Sequence, residues 1–288
     1  MKTLILGTAN FGNTYGVANR GTSTLPVDAK ELVSWAQSNG VNNFDTAIAY
    51  GDAETILGES LDLTLSPNID TKLDLNSCSS RERIVNSAIE ACKRLKVEQL
   101  GTVYLHNDEL LQSSYRSEIL SGLKDLLDLG IARKIGVSVY SGSAINSCKR
   151  IFPELQVFQV PENICDRRLY SSDELMDLAE AGNTLVVRSV FLQGLLLMHS
   201  QSIPVKLNLA KNSINDLHRF SSERSIPVLN LCLAYIESIK WSDQYIVGVA
   251  SINQLKAITK ASSSLPEDFE SFIQTLPKEI VDPRKWQL

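Results

Sequence analysis

An acid and a phenol lie five residues apart in the segment DTAIAYGDAE, residues 45–54. The acid is Asp45 and the phenol is Tyr50, and they follow an apolar stretch typical of a buried strand. Lys72 lies 27 residues after Asp45, and His106 lies 34 residues after Lys72. A lysine inside an apolar strand is costly to bury unless its charge is paired, and Asp45 is the obvious partner. These four residues are the candidates for chemistry.

The four side chains together suit proton transfer to a carbonyl oxygen. A phenol has a pKa near 10 and is a weak acid at neutral pH unless a nearby cation stabilises its anion. Lys72 would supply that cation, Asp45 would hold the ammonium, and His106 would hydrogen-bond the same substrate oxygen or orient the phenol. A carbonyl carbon must then receive a hydride, which no side chain provides and a nicotinamide cofactor does. The set therefore predicts nicotinamide-dependent carbonyl chemistry.

Each of these residues also has an ordinary structural role open to it. Asp45 suits a strand end where it accepts backbone N–H groups, and Tyr50 suits an amphipathic packing position. His106 suits a hydrogen-bonded structural position equally well. The spacing favours a shared site, because intervals of about one strand–helix unit bring successive strand ends to the same rim.

The elements that would position these residues alternate along the chain. Eight nearly continuous apolar stretches are separated by segments with apolar residues at helical spacing. This alternation predicts an α/β fold, a single-domain (β/α)8 TIM barrel over residues 1–288, with 265–288 as a C-terminal helix and tail. The competing doubly wound sheet requires a GxGxxG turn, which does not follow the first strand. The predicted strands are residues 3–9, 41–50, 68–75, 101–107, 133–140, 155–160, 184–190 and 245–251.

Composition excludes several classes of partner. The net charge is -5 and the pI is near 5.4, without clusters of Lys and Arg, so we expect no nucleic-acid partner. The apolar run near the N-terminus ends at Leu6, too short for a signal sequence, and no stretch approaches the roughly 18 residues that cross a bilayer. The five cysteines form no CxxC pair, which favours buried thiols over a metal site. We expect a cytoplasmic protein without membrane partner or metal.

At these residues the sequence resembles the aldo-keto reductase family. DTAIAYGDAETILG matches the family signature after the second strand, and Asp45, Tyr50, Lys72 and His106 fall at the positions of its catalytic tetrad. The segments LGTA…FG, KIGVS and VFLQGLL are similar to its first, fifth and seventh strand regions. The resemblance covers nearly the whole chain. It implies a (β/α)8 barrel that binds NAD(P)(H) directly and reduces a carbonyl or oxidises an alcohol.

The resemblance also implies a set of cofactor contacts. Ser138 and Gln159 would hold the nicotinamide amide, and Arg188 would take the place of the aromatic ring that stacks on nicotinamide. The loop over residues 189–194 would contact the pyrophosphate, and residues 248–254 would reach the adenosine end. The residues implied in this way are Ser138, Gln159, Arg188, Ser189, Leu192, Gly194, Gly248, Ser251 and Gln254.

Four positions depart from the family pattern. Val139 stands where an asparagine is usual, so the amide would be held by fewer bonds. Arg188 can stack as an aromatic ring does, but it adds a full charge. The Lys or Arg that would pair with a 2′-phosphate is absent at Gly248 and Gln254, which leaves Ser251, backbone N–H groups and Lys256. The expectation is NADP(H) in preference to NAD(H).

Two other functions stay open. A Schiff-base lyase would use Lys72 as a nucleophile, which requires a neutral amine, whereas Asp45 favours the ammonium. A cofactor-sensing regulatory subunit would bind the cofactor without turnover. The substrate would be a small carbonyl compound or alcohol, and polar residues in the loops 10–15, 75–80 and 199–211 lean toward a sugar-like one. The sequence makes no prediction of oligomeric state.

Overall fold

The computed structural model describes residues 2–11, 16–19, 29–74, 76–262 and 264–286. Eight parallel strands close into a barrel in which each strand pairs with the next in chain order and the last pairs with the first. This confirms the predicted single-domain (β/α)8 barrel. The strands are β1 (Thr3–Gly7), β2 (Asn43–Asp45), β3 (Asn68–Leu73), β4 (Leu100–Leu105), β5 (Ala132–Ser138), β6 (Val157–Pro161), β7 (Thr184–Arg188) and β8 (Gln244–Gly248).

The strands are covered on both faces, which explains their continuous apolar sequences. All six residues of β4 are buried, and so are the five residues of β3 from Ile69 to Leu73. Parallel strands between a packed barrel interior and an outer layer of helices have no solvated face on which polar residues would alternate. Each of the eight predicted stretches accordingly overlaps one strand, although β4, β5, β6 and β8 each extend one residue beyond the predicted range and β2 spans only three residues of the predicted 41–50.

Helices follow the strands and begin at serine caps in several places. The side chains of Ser80, Ser141, Ser172 and Ser251 each accept a hydrogen bond from the backbone N–H three residues later, which fixes the first helical turn. The helices are α1 (Ala29–Ser38), α2 (Ala53–Ser60), α3 (Arg81–Leu95), α4 (Arg116–Asp128), α5 (Gly142–Ile151), α6 (Asp173–Glu180), α7 (Lys211–Arg224), α8 (Val228–Ser238), α9 (Ile252–Lys260) and α10 (Phe269–Phe272).

The C-terminal segment is less helical than a full extra helix would be. Helix α10 has four residues, and Phe269 packs edge-on against the rings of Tyr170 and Tyr235. The N–H of Leu276 then donates to the carbonyl of Cys165 at 2.7 Å. Because these contacts tie the segment to the loop after β6, it runs on toward the carboxyl ends of the strands.

The remaining loops and thiols complete the scaffold. Of the loops singled out from sequence, residues 12–15 and Leu75 lie outside the described residues, and residues 199–211 form short 3₁₀ turns before α7. All five cysteines are buried and unpaired, as predicted. Within the described ranges, none of the helices has the length and apolar character needed to traverse a lipid bilayer.

Candidate active site

The carboxyl ends of the strands surround one cavity of about 700 Å³, a size usual for small-molecule sites. Asp45 ends β2, Lys72 is the penultimate residue of β3, and His106 follows β4 directly. The predicted residues that line the cavity are Asp45, Tyr50, Lys72, His106, Ser138, Gln159, Arg188, Ser189, Leu192, Gly194, Gly248 and Gln254. Ser251 is not among the described lining residues. Its hydroxyl caps α9 by accepting a hydrogen bond from the N–H of Gln254 at 3.3 Å.

Asp45 and Lys72 form a buried ion pair. Both residues are only 3% exposed, and the Lys72 ammonium donates to Oδ2 of Asp45 and, at 2.9 Å, to the carbonyl of Thr46. The second carboxylate oxygen of Asp45 accepts from Nε2 of Gln159 at 2.6 Å. This carboxylate therefore links β3 to β6 across the inside of the barrel. The pairing expected from the sequence is present.

Tyr50 lies beside both Lys72 and His106. The Lys72 ammonium is 5.5 Å from the centroid of the Tyr50 ring. The rings of Tyr50 and His106 meet edge to face, with centroids 6.1 Å apart and an interplanar angle of 83°. The structure thus brings the four predicted side chains into one group at the mouth of the barrel.

The pKa of Tyr50 differs from the sequence-based expectation that Lys72 would lower it. Burial raises the pKa of the phenol well above its usual value, and the negative charge of Asp45 raises it further. The cation that opposes this rise is Arg188. The physical reason is that the charge of Lys72 is already matched by Asp45 at contact distance, whereas no carboxylate among the described residues pairs with Arg188 in this way. Tyr50 is therefore protonated at neutral pH.

His106 is neutral at the same pH. Burial lowers the pKa of its imidazole, and the positive charges of Lys72 and Arg188 lower it further against the opposing effect of Asp45. A neutral imidazole still carries one N–H donor. Two protonated, uncharged donors, the Tyr50 hydroxyl and the His106 ring, consequently face the cavity together.

Arg188 is held in place by neutral groups. Its Nε donates to the hydroxyl of Ser138 at 3.1 Å, one terminal nitrogen donates to the hydroxyl of Ser189 at 3.2 Å, and the other donates to the carbonyl of Val139 at 3.1 Å. Its guanidinium carbon lies 4.2 Å from the centroid of the Tyr140 ring. The side chain of Val139 is fully buried, so this position contributes its carbonyl and not an amide to the site.

Gln159 supplies the observation that tests whether a nicotinamide amide fits. Its Nε2 is used by Asp45, but its Oε1 is buried and has no hydrogen-bond partner within the described structure. A buried acceptor without a donor is costly, and a carboxamide NH2 is a donor of the right kind. Ser138 pairs in register with Gln159 on the neighbouring strand. These residues fit the amide of a nicotinamide cofactor.

The loop after β7 is a compact series of tight turns that borders the cavity. Ser189, Leu192, Gln193 and Gly194 all have positive φ angles, and the N–H groups of Leu192 and Gly194 donate to the carbonyls of Ser189 and Phe191, each at 2.9 Å. Gly194 has a φ of 87°, and a Cβ atom there would lie 2.6 Å from Cβ of Ala18. Only glycine satisfies both constraints, so this loop and the turn Val17–Asn19 approach each other closely.

The residues predicted from the resemblance to reach adenosine make contacts within the protein. Gln254 uses its Oε1 to accept from the N–H of Ala250 at 2.7 Å. Lys256 lies over the ring of Trp35, with its ammonium 5.7 Å from the ring centroid. Among the described residues that line this end of the cavity, there is no Lys or Arg.

Sequence reasoning missed two residues that line the same cavity. Tyr140 lies two residues beyond the end of β5, and the guanidinium carbon of Arg284 lies 3.7 Å from its ring centroid. The Tyr140 ring therefore contacts the guanidinium groups of both Arg188 and Arg284. Tyr140 could have been found as a residue just after a strand end, but no signal in the sequence indicates that Arg284 meets it.

Comparison with known proteins gives consistent results. A sequence profile described as the Aldo/keto reductase family matches residues 3–274. The chain is 25% identical over 293 residues to a protein named "Probable voltage-gated potassium channel subunit beta" from Oryza sativa subsp. japonica, covering 87% of this chain and 89% of that protein. It is 28% identical over 147 residues to D-arabinose 1-dehydrogenase from Saccharomyces cerevisiae, covering 48% of this chain and 42% of that protein.

The structural comparison concerns the fold. The holo form of aldo-keto reductase AKR11C1 from Bacillus halodurans superposes with a TM-score of 0.76 at 21% identity, covering 99% of this chain and 95% of that chain. Most of the sequence matches cover less of each protein than this superposition does: the chain spans about half the length of most of the curated relatives it matches.

Proposed function

Because this chain belongs to the aldo/keto reductase family, we propose that it is an NAD(P)(H)-dependent oxidoreductase that reduces an aldehyde or ketone to an alcohol, or catalyses the reverse. One observation supports this most strongly. The Asp45–Lys72 ion pair, Tyr50 and Gln159, whose buried Oε1 has no hydrogen-bond partner among the described residues, all line the same cavity. Proton donors and an amide-binding acceptor are the two groups that carbonyl reduction with nicotinamide requires of a protein.

The proposed roles follow from the protonation states. Tyr50, protonated at neutral pH, gives its proton to the carbonyl oxygen as the oxygen becomes basic, and His106 donates a second hydrogen bond to the same oxygen. Lys72, held by Asp45, keeps the carboxylate from facing Tyr50 as an unmatched negative charge. The bound cofactor would supply the hydride. In the reverse direction Tyr50 accepts the proton.

The proposed cofactor contacts are those implied by the resemblance, except Ser251. Ser138 and Gln159 hold the amide, Arg188 lies against the ring, Ser189, Leu192 and Gly194 contact the pyrophosphate, and Gly248 and Gln254 reach the adenosine. We retain NADP(H) as the preferred cofactor and expect only a small preference. The reason is that Lys256 contacts Trp35 and Ser251 caps α9, so neither is placed in the lining as a 2′-phosphate partner.

The proposed substrate is a small, sugar-like carbonyl compound. The cavity lining is mixed, with polar groups such as Asn107 and Asp74 beside the catalytic group. One relative is named for oxidation of D-arabinose, which is a hydroxylated substrate of this kind.

The decisive experiment compares binding with turnover. Fluorescence titration with NADPH and NADH is followed by a panel of aldoses, keto sugars and aromatic aldehydes. Replacing Tyr50 by Phe removes the proton donor while keeping the ring, so nicotinamide affinity should persist and turnover should fall by about 10² or more. Tyr115→Phe, on the exposed start of α4, is the matched control and should leave both unchanged. Unchanged turnover in Tyr50→Phe would refute the proposed role of Tyr50 as proton donor.

A cofactor-binding regulatory subunit is the second candidate. The similarity to a probable potassium channel beta subunit along 87% of the chain favours it. Binding of NADPH without turnover of any carbonyl in the panel would support this alternative. A Schiff-base lyase is disfavoured, because the Lys72 ammonium donates to two acceptors. Borohydride trapping of a Lys72 adduct with a carbonyl compound would reinstate it.

A further inference from the structure

Arg188 carries a positive charge that no carboxylate in the described part of the chain balances. Three of the described lining residues are cations with long side chains: Lys72, Arg188 and Arg284. Lys72 is paired with Asp45, and Arg284 is paired with both oxygens of Asp282, at 3.0 and 2.9 Å. For Arg188, no carboxylate in the described ranges lies within 4.0 Å of the guanidinium, and its partners are two hydroxyls and a carbonyl.

The Arg188 charge is also fixed in position. Three of its five N–H groups are donated to Ser138, Ser189 and Val139, and its plane rests on the Tyr140 ring. A guanidinium restrained on several sides cannot move its charge away when a ligand enters. Whatever binds beside Arg188 therefore experiences a stationary cation.

A continuous chain of contacts joins Arg188 to the amide-binding acceptor. Arg188 donates to Ser138, Ser138 pairs in register with Gln159, and Gln159 donates to Asp45. A ring whose amide reaches Oε1 of Gln159 and whose reacting carbon faces Tyr50 must lie along this chain, next to Arg188. The charge of Arg188 acts on the groups at the other end of this chain. It opposes the rise in the pKa of Tyr50 and adds to the lowering of the pKa of His106.

The two redox states of nicotinamide differ in charge at this place. The oxidised ring carries a positive charge and the reduced ring is neutral, so a fixed cation repels only the oxidised form. Resting on the proposed function, we propose that Arg188 makes the cavity discriminate between the redox states of the cofactor, binding NAD(P)H more tightly than NAD(P)⁺. The oxidised cofactor then leaves readily and inhibits weakly as a product.

The test measures dissociation constants for the oxidised and reduced cofactors. In the native protein, the dissociation constant for NADP⁺ should exceed that for NADPH by about tenfold or more, a modest value for one unmatched charge near a partly buried site. Arg188→Met should reduce this ratio about tenfold, and Arg188→Lys, which keeps the charge, should retain most of it. Arg133→Met is the control, because Arg133 lies at the opposite end of β5 and contacts Asn68. The control ratio should equal that of the native protein.

The NADH and NAD⁺ pair separates this effect from a phosphate contact. The ring is the same in both cofactors, so the change in ratio should be equal for the two pairs. A role in phosphate binding would weaken both redox forms by the same factor and leave the ratio unchanged, which would overturn the inference. If Arg188→Met does not fold, Arg188→Gln, which retains side-chain donors, allows the same comparison.

The pH dependence of turnover gives a second readout. Removing the charge of Arg188 should raise the pKa of His106, since burial, Lys72 and Arg188 lower it against the opposing charges of Asp45 and Asp74. The pH profile of Arg188→Met should therefore shift to higher pH, whereas Arg188→Lys should resemble the native protein. A profile that is identical in all three proteins would contradict the inference. Absence of any nicotinamide binding to the native protein would instead refute the proposed function itself.

Discussion

Glu162 provides a pH-dependent stability test outside the cavity. It follows β6 directly and is fully buried, with Oε1 lying 2.5 Å from the Tyr235 hydroxyl and Oε2 accepting from the N–H of Leu169 at 3.0 Å. Burial raises the pKa of the Glu162 carboxyl to about 8, helped by the negative charge of Asp166 and opposed by the hydrogen bonds. The carboxyl is therefore protonated in the folded protein at neutral pH.

The sign of the effect follows from this raised pKa. The folded state holds the proton more tightly than the unfolded state, where the pKa is near 4.5, so stability is lost as the pH rises from about 4.5 through about 8. Glutamine is isosteric with the protonated acid and does not ionise. Glu162→Gln should therefore gain stability over the native protein by roughly 3 kcal/mol between pH 5 and pH 8.

Urea unfolding at pH 5, 6.5 and 8, followed by circular dichroism, measures this difference. Glu98→Gln, at an exposed position before β4, is the control, and the free energy of unfolding should differ from that of the native protein by a similar amount at every pH. A constant difference between Glu162→Gln and the native protein across the same range would show that the ionisation of Glu162 is not linked to folding, and the reasoning would fail.

Three further outcomes are expected. Lys72→Met leaves the buried Asp45 carboxylate without its cation and should lower the free energy of unfolding in urea by about 3–5 kcal/mol. Adding Asp45→Asn should recover part of that loss. If the effects of the two single replacements were strictly additive in the double variant, the buried pair would be contradicted. Gly194→Ala should lower the thermal unfolding midpoint and weaken nicotinamide binding at least tenfold. The reason is that the φ of 87° at Gly194 and the 2.6 Å distance to Cβ of Ala18 both exclude a Cβ atom. An unchanged midpoint and unchanged binding would contradict this prediction. Burial, aided by the charge of Asp45, raises the pKa of Asp70 to about 6. The folded protein therefore favours the protonated carboxyl, and stability is lost as the pH rises from about 4 through about 6. Asp70→Asn should be more stable than the native protein by roughly 2–3 kcal/mol at pH 7 but not at pH 3.5, as measured by urea unfolding.

The barrel was predictable because each of its strands can be recognised from a short stretch of sequence. Strands buried on both faces must be apolar throughout, so β3 and β4 are recognisable without knowledge of their neighbours. The Asp45–Lys72 pair was predictable for a related reason, since a lysine in such a strand requires an anion and neighbouring strands end at the same rim. Even there, β2 is far shorter than its apolar stretch, because the residues after Asp45 turn out of the sheet to carry Tyr50.

The features that escaped prediction depend on contacts across the barrel. Gln159 reaches Asp45 from a strand four places along the sheet, and nothing in the sequence of either strand indicates that their side chains meet inside. The pKa of Tyr50 depends on which cation remains unmatched, and only the structure shows that Lys72 is neutralised while Arg188 is not. The contact of Arg284 with Tyr140 joins residues far apart in the chain, with no periodic pattern to reveal it.

The contact between Arg284 and Tyr140 joins two parts of the cavity lining, one formed by the strand ends and the other by the C-terminal segment. The strand ends supply Asp45, Lys72 and His106, while a segment that follows the last barrel helix supplies Pro283 and Arg284 to the lining. Variation in that segment alters the cavity without changing any barrel strand. Libraries randomised only around Pro283 and Arg284 would therefore explore ligand selectivity at little risk to the barrel, and selective pressure can act on this wall independently of the strands.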